Sequence, residues 1–575
     1  MYREACVLLV LFAWIEAHKI EVAVKQGRIL GSREATVFNR RLYFVFYRVP
    51  YAQRPVEKLR FKDPEPYKRW SRTVDGRTEF HGTCAQAHIV HKHGLFGVED
   101  CLYLNIYTPE IPKTEAAGLK PVVVWLHGYA FTSCFSHLHG ADFLIDNDIV
   151  LVTVTHRIGV FGFLKLNDTD THANMGLKDI VMALKWIREN IKKFGGDKKR
   201  IVLMGNNSAA TFISLLMMTE ASKLFSKVIL QSGALFAASM FQSNYTVERR
   251  RLKRDLKKKS LKLSKATTQD LIDASRNIYS RLEIENSQRP IVPFTPLVEP
   301  ESESALLTKA PKDFYDTMKN KKFNKPVLIG FNTQESISEA IPFIHNPRFL
   351  KPLSKFFKFM VPFSDGCQYN SSSEMYKRIS NKIKSRYFKT GISEKSLDNF
   401  LKYASDLIKY PIIKFIKTYL QLGKGNMYMY KFDYRGTLNA VKATSLGEST
   451  TKVKGVASGD EVCYVLKCEP LWENYVKMTR DKVNTDKTFI IEMVNLWSNF
   501  AKYGNPTPKS YVGNVTWSPM SLVGNNQRKR RMTNCNTIIE INLPNMNTID
   551  GFFIIICKIR NSFFADEEGI CSFLF

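Results

Sequence analysis

Histidine is scarce in this sequence and does not occur near its end. The chain has 575 residues and eleven histidines, and none of them follows His345. Histidine is the side chain that enzymes use most often as a general base. The absence therefore excludes an imidazole base supplied by the C-terminal third of the chain.

Long apolar runs are also missing from the body of the sequence. The longest late run, "GFFIIIC" at residues 551–557, is far shorter than the roughly 20 residues that a transmembrane helix needs. At the start, "MYREACVLLVLFAWIEAHK" combines the basic Arg3, an apolar run and the small residue Ala17. This pattern predicts a signal peptide over residues 1–17, and so a secreted protein without a transmembrane anchor. A buried first strand is the alternative, but the following "IEVAVKQGRILGS" is a better start for a strand.

Linkers and cofactor-binding motifs are absent as well. No Gly/Ser-rich or Pro-rich linker interrupts residues 20–545, and 44% of the chain is hydrophobic. We therefore expect one large domain over residues 18–548, followed by a tail at 549–575. The sequence has no His/Cys/Asp cluster at zinc spacing, no Gly-rich phosphate loop and no paired carboxylates that can be placed together. We expect no metal site and no cofactor.

Acidic residues are too few to balance the basic ones. The chain has 84 Lys and Arg against 54 Asp and Glu, a net charge of +30, and the densest basic run is "ERRRLKRDLKKKSLKLSK" at 248–265. The run predicts a solvated helix with Leu252 and Leu256 facing inward. The alternative is a surface for an anionic partner such as a sulfated glycan or a membrane. Nucleic acid is not expected, because no stacking or groove-reading motif accompanies the charge.

Cysteines and sequons fit a secreted chain. Ten cysteines include Cys6 in the predicted signal peptide, so nine remain and at least one is unpaired if the others bridge. The count assigns no pairs. Sequons at Asn167, Asn244, Asn370 and Asn514 predict a glycosylated surface.

Buried apolar strands alternate with helical patterns through the first half of the sequence. The segments "PVVVWLH", "IVLVTVTHR", "RIVLM" and "KVILQSG" are typical of strands, and "GLKDIVMALKWIRENIKKF" is typical of a helix. This alternation predicts an α/β fold, with a large, mostly parallel central sheet covered by helices on both faces.

A strand-to-helix turn stands at "GNNSAA", residues 205–210. Apolar residues before it predict a strand and those after it predict a helix. This arrangement is typical of a nucleophile elbow, in which the motif G-x-S-x-G presents a serine at its third position. Here the third position holds Asn207, and Ser208 comes one residue later.

Further stretches, in the same order along the chain, resemble the type-B carboxylesterase and cholinesterase-like family, in particular its secreted insect esterases. They are "VPYAQRPVEKLRFKDPEPYKRW", "EDCLYLNIYTP", "IGVFGFL", "NIKKFGGDKKRI", "LQSGAL", "KPVLIGFNTQES", "GVASGDEVCY" and "LWSNFAKYGNPTP". The resemblance covers residues 20 to about 545 and implies an α/β-hydrolase fold. It also implies a disulfide between Cys84 and Cys101. The sequence after about Asp550 does not resemble the family's ending.

The resemblance also implies where an acid and an oxyanion hole would lie. Active family members use Ser, Glu and His in this chain order, with backbone N–H groups that bind the oxyanion. "GFNTQES" places Glu335 at the acid position, with Ser336 replacing a glycine. "HGYAF" makes the N–H groups of Tyr129 and Ala130 the oxyanion donors, together with that of Ser208.

The nucleophile and the base are both substituted. "GGDKKRIVLMGNN" matches the family without a gap, so Asn207 occupies the serine position, while Ser208 starts the helix and points roughly 100° away. "GVASGDEVCY" places Ser458 where the family has histidine. His127 and His156 are interpreted as structural residues, because a triad base must reach both the nucleophile and the acid.

These substitutions predict a secreted esterase-like protein without hydrolase activity, acting as a binding or interaction module. Its expected partners are a lipophilic small molecule in the gorge (the pocket that leads to the substituted site), another protein or an anionic glycan surface. Two alternatives stay open: an active carboxylic ester hydrolase, and a carrier that sequesters a lipophilic ester or terpenoid.

Overall fold

The structure is a computed structural model in which a defined part of the chain is described. The described residues are 20–78, 82–87, 94–114, 118–128, 135, 138–165, 172–237, 241, 246–276, 278, 294–320, 324–361, 372–423, 425–447, 453–481, 483–513, 515–523, 531–532 and 538–541. No helix within these ranges has both the length and the apolar character that crossing a membrane requires. The predicted signal peptide, the four sequons and the tail at 549–575 lie outside the described residues.

Most strands of the described residues belong to the sheet that positions the site. In chain order, the strands are β1 (Ile20–Val24), β2 (Gly27–Ala35), β3 (Leu42–Pro50), β4 (Val74–Asp75), β5 (Gln86–Ala87), β6 (Leu95–Phe96), β7 (Tyr103–Thr108), β8 (Lys120–Leu126), β9 (His139–Gly140), β10 (Val150–Val154), β11 (Gly196–Asn206), β12 (Lys227–Gln231), β13 (Val327–Asn332), β14 (Met427–Phe432), β15 (Lys467–Cys468), β16 (Leu522–Val523), β17 (Arg531–Met532) and β18 (Ile538–Ile541).

Helices connect and cover these strands. They are α1 (Asp142–Asp146), α2 (Gly159–Phe163), α3 (Met175–Asn190), α4 (Ser208–Met217), α5 (Thr246–Lys258), α6 (Thr268–Arg276), α7 (Phe314–Lys319), α8 (Ile341–His345), α9 (Lys351–Lys355), α10 (Glu374–Tyr387), α11 (Leu397–Leu422), α12 (Ala440–Leu446), α13 (Trp472–Arg480) and α14 (Thr485–Tyr503). Short 3₁₀ turns occur between several of them.

One large mixed sheet runs through the molecule. Its strand order is β1-β2-β3-β7-β10-β8-β11-β12-β13-β14-β18, and β4 pairs with β2. From β10 to β18 all neighbours are parallel, whereas β1, β2, β3, β7 and β10 pair antiparallel. The apolar segments that predict strands form β8, β10, β11 and β12, as expected for parallel strands buried on both faces. The carboxyl ends of these parallel strands meet at one edge of the sheet.

Alternating side chains of the central strands build a core on each face of the sheet. In β8, Val122 and Val124 belong to one apolar cluster, while Val123 and Trp125 belong to the other. This follows from the strand geometry, in which successive side chains point to opposite faces. Because helices cover both clusters, the sheet edge is where loops are free to build a site.

Candidate functional site

A strand, a single linking residue and a helix place Asn207 at the carboxyl edge of the sheet. β11 ends at Asn206 and α4 begins at Ser208. Between them Asn207 has φ 51° and ψ −117°, a conformation that side chains with a Cβ rarely adopt. Asparagine tolerates positive φ better than most residues, so the turn can form here without serine. The shape of a nucleophile elbow is therefore present, with a carboxamide at its vertex.

Backbone contacts on both sides fix this turn. The N–H of Asn207 donates to the carbonyl oxygen of Gln231 at 2.9 Å, and the carbonyl of Asn207 accepts from the N–H of Thr211 at 3.2 Å. A Cβ on Gly233 would lie 2.2 Å from the carbonyl oxygen of Asn207. A Cβ on Gly205 would lie 3.0 Å from the backbone of α4. The position of Gly233 therefore requires glycine, because the backbones approach too closely for a side chain, and Gly205 is tightly packed against α4.

Glu335 lies on the loop that follows β13. Its side chain is fully buried, and its Oε1 accepts a hydrogen bond from the N–H of Asn332 at 2.6 Å. Burial raises the pKa of Glu335 to about 7, because the charged form loses its solvation. The N–H of Asn332 and the hydroxyls of Ser232 and Ser458 oppose this rise. Near neutral pH the carboxyl group is therefore present in both its charged and its neutral form.

Ser458 faces this carboxyl group at the position where the resemblance expects histidine. The hydroxyls of Ser232 and Ser458 act on the charge of Glu335, but neither approaches it with hydrogen-bond geometry. Within the described part of the chain, both hydroxyls and the Oε2 of Glu335 are buried without a hydrogen-bond partner. Ser232 directly follows Gln231, the last residue of β12, whose carbonyl binds the N–H of Asn207. The end of β12 therefore contacts Asn207 and also faces Glu335. The structure thus brings Asn207, Glu335 and Ser458 to one region.

A second buried carboxyl group, absent from the predicted site, interacts with Glu335. Glu461 is fully buried, burial raises its pKa to about 8, and the charge of Glu335 adds to this rise. Its carboxyl oxygens accept from the side-chain amides of Asn206 at 3.4 Å, Gln231 at 3.3 Å and Asn332 at 2.6 Å. The sequence showed no paired carboxylates that could be placed together; folding brings these two close enough to interact because it joins two distant segments. The available signal was the glutamate within "GVASGDEVCY".

Ser208 is the serine nearest to the elbow in sequence. It begins α4, as predicted, and its Oγ is buried without a hydrogen-bond partner among the described residues. A Cβ on Gly128 would lie 2.9 Å from this oxygen, so the hydroxyl packs against the start of the expected oxyanion stretch. The other two expected oxyanion residues, Tyr129 and Ala130, lie outside the described residues.

The two histidines considered as bases contact other groups. The Nδ1 of His127 accepts from the N–H of Phe135 at 3.0 Å. His156 is fully buried and packs edge-on against Phe212 of α4, with ring centroids 5.3 Å apart. Burial lowers the pKa of His156, because the charged imidazolium would lose its solvation. Within the described ranges, no group of three or more His, Cys, Asp or Glu side chains is arranged to hold a metal ion.

Two disulfides are formed by described cysteines. Cys84 and Cys101 are joined, with Cα atoms 5.0 Å apart, which is the pairing that the resemblance implies. Cys463 and Cys468 are also joined, and the cysteine count alone could not assign this pair. The second disulfide lies just after Glu461 and links the segment that follows it to β15.

The basic run at 248–265 includes α5. Leu252 and Leu256 are buried, whereas Lys253, Lys257 and Lys258 are exposed. The prediction of a solvated helix with an apolar inward face is confirmed. The exposed face carries a concentrated positive charge on the surface of the molecule.

The sheet order and the elbow define an α/β-hydrolase. Comparison with solved structures agrees: juvenile hormone esterase from Manduca sexta, with OTFP covalently attached, superposes with a TM-score of 0.71 at 24% identity, covering 86% of this chain and 92% of that one. At this identity the likeness shows the fold alone.

Sequence comparisons narrow the class to a family. The carboxylesterase family model matches residues 18–547. Juvenile hormone esterase of Tribolium castaneum is 30% identical over 534 residues, covering 89% of this chain and 87% of that protein. Esterase E4 of Myzus persicae is 30% identical over 526 residues, covering 87% of this chain and 89% of that protein. The chain belongs to the carboxylesterase family.

Proposed function

We propose that this protein is a secreted, carboxylesterase-like protein that does not hydrolyse esters and acts as a binding or interaction module. The observation that carries the proposal is the pair of substitutions at the site. A carboxamide occupies the elbow vertex, and a hydroxyl faces Glu335 where a base would act. An acyl-enzyme requires a nucleophilic oxygen, and a serine needs a base to activate it.

The polar groups that remain suit binding better than turnover. Glu335, Ser232 and Ser458 are buried with unpartnered oxygen atoms in the described part of the site. Buried polar atoms are normally satisfied, so these atoms offer hydrogen bonds to a water or a bound molecule. Two of the related proteins are named juvenile hormone esterases, so a lipophilic ester is the first ligand to test. In that case the protein would act as a carrier that sequesters the ester.

The proposal is tested with an organophosphate probe and short-chain p-nitrophenyl esters. We expect the purified wild-type protein to stay at background with both, beside an active relative as positive control. In subtilisin, the loss of the nucleophile or the base costs a factor of about 2 × 10⁶ in rate, and here both are replaced. Wild-type labelling that Ser208→Ala abolishes would make Ser208 a displaced nucleophile and would overturn the proposal.

Restoring the two residues tests the assignment of their positions. Asn207→Ser alone has no base, and Ser458→His alone has no nucleophile, so each single variant should stay near background. The double variant restores the order Ser, Glu335, His and should be labelled measurably by the probe. The two changes should therefore be strongly non-additive. A folded double variant that stays inert would show that these positions do not form the reactive pair.

A further inference from the structure

The backbone at Asn207 brings its Cβ into line with the next peptide nitrogen. Its ψ is −117°, whereas ψ is about −42° in a helix and about +135° in an antiparallel strand. With the tetrahedral arrangement at Cα, this ψ nearly eclipses the Cα–Cβ bond with the bond to the nitrogen of Ser208. The side-chain carbon Cγ of Asn207 can therefore approach that nitrogen in a five-membered ring that is already close to planar.

The fold fixes this geometry and leaves the backbone nitrogen of Ser208 without a hydrogen bond inside the helix. The hydrogen bonds of Asn207 to Gln231 and Thr211 hold the peptide on both sides, and Gly233 packs against its carbonyl. Ser208 is the first residue of α4, so its N–H has no partner four residues earlier in the helix. Attack by this nitrogen therefore breaks no intrahelical hydrogen bond.

We infer that Asn207 is a site of spontaneous intramolecular deamidation. The backbone nitrogen of Ser208 attacks Cγ of Asn207 and loses its proton to water or hydroxide. The bond from Cγ to the side-chain nitrogen breaks, and that nitrogen takes up a proton and leaves as ammonia, which yields a succinimide. Water then adds to either ring carbonyl and opens the ring to an aspartyl or an isoaspartyl residue. No oxidant, reductant or cofactor takes part.

The products change the elbow in two ways. An aspartyl product places a carboxylate at the N-terminus of α4, where the helix dipole stabilises negative charge. An isoaspartyl product lengthens the main chain by one carbon at the vertex, which the close contact with Gly233 opposes. We therefore expect the aspartyl form to be over-represented in the folded protein relative to the unfolded chain.

The test compares the full-length folded protein with the same protein unfolded in urea, both aged in mildly alkaline buffer. Trypsin releases residues 201–223 as one peptide, and tandem mass spectrometry locates the exchange of amide for carboxyl. We expect Asn207 to be lost about tenfold faster in the folded protein, because the unfolded chain adopts this ψ in only a small fraction of its conformations. A folded rate equal to or below the unfolded rate would overturn the inference.

Two asparagines serve as controls in the same molecule. Asn206 lies in the same peptide but ends a strand, with its side chain donating to Glu461 at 3.4 Å. Asn174 is buried and also has positive φ, but its ψ is 33°. Neither asparagine should deamidate faster in the folded protein than in the unfolded chain. If either were accelerated as much as Asn207, the role of ψ would be contradicted. Asn207→Gln requires a six-membered ring and should remove the modification from the peptide.

Discussion

At the scale of single residues, the site is defined by a buried carboxyl group, Glu335, that faces the hydroxyl of Ser458. Burial raises the pKa of Glu335 from 4.5 to about 7. Lys409, whose Nζ donates to the carbonyl of Thr333, offsets part of the cost. The hydroxyl of Ser458 cannot supply the positive charge of an imidazolium. Glu335 is therefore costly to ionise in the folded protein.

This cost predicts a stability change for Glu335→Gln. Between pH 4.5 and about 7 the folded protein keeps a proton that the unfolded chain has released, so the stability of the wild type falls as pH rises. Glutamine has no charge to bury, and its amide can donate to the unpartnered hydroxyls. We expect the variant to be more stable above pH 7 by on the order of 3 kcal/mol, with little difference near pH 4.

The measurement is the midpoint of urea unfolding across this pH range. Glu374→Gln is the matched control, because that side chain is 88% exposed at the start of α10. The control should follow the wild-type profile. A Glu335→Gln profile parallel to that of the wild type would mean that this carboxyl group does not lose stability on ionisation.

At the scale of elements, two helices with different sequence patterns serve different ends. α4 is buried along its whole length and holds the elbow, whereas α5 buries only one side and exposes its cations. Like charges on an exposed helix repel one another, and this repulsion is relieved when an anionic partner binds. The exposed face of α5 is therefore the surface where we expect an anionic glycan to bind.

We predict that α5 dominates retention on a heparin column. The test variant replaces four exposed cations of α5 with glutamine: Lys253, Arg254, Lys257 and Lys258. It should elute at clearly lower salt than the wild type, because fewer ionic contacts remain to be screened. The control variant removes four exposed cations from α10: Lys377, Arg378, Lys382 and Lys384. Equal losses from the two variants would show that net charge alone, and not α5, sets the retention.

At the scale of the whole molecule, the family fold is complete in the described residues. The sheet, the elbow turn and the buried acid are all in place, with Asn207 at the turn and Ser458 beside the acid. The fold depends on the buried strands, whereas any chemistry depends on a few side chains at their ends, so the proposed loss of hydrolysis requires no change of scaffold.

The disulfide between Cys84 and Cys101 gives a prediction at this scale. Replacing both cysteines with serine releases a loop with a sequence separation of 17 and should lower the free energy of unfolding by about 3 kcal/mol. Removing the pair Cys463 and Cys468, separated by 5 residues, should cost only about 2 kcal/mol. Urea unfolding measures both. Free thiols at Cys84 and Cys101 in the purified protein, seen by mass spectrometry, would contradict the pairing.

The sequence by itself determined the family fold, the strand-turn-helix at residue 207 and the identity of the side chains at 207, 335 and 458. These are local features: a buried strand, a short motif and a residue type can be recognised without knowing what lies nearby. The inward face of α5 is of the same kind, since helix periodicity alone places Leu252 and Leu256 together.

Only the tertiary structure decided which distant groups meet. Glu461 lies near Glu335 because β13 and the loop before β15 end at the same sheet edge, and the charge of Glu335 then raises the pKa of Glu461. Cys463 pairs with Cys468 because the intervening turn brings the sulfurs together, which a cysteine count cannot show. The ψ of Asn207 is likewise set by contacts from β12 and Gly233. Local sequence specifies elements, whereas pKa values, pairings and backbone strain depend on neighbours that only folding supplies.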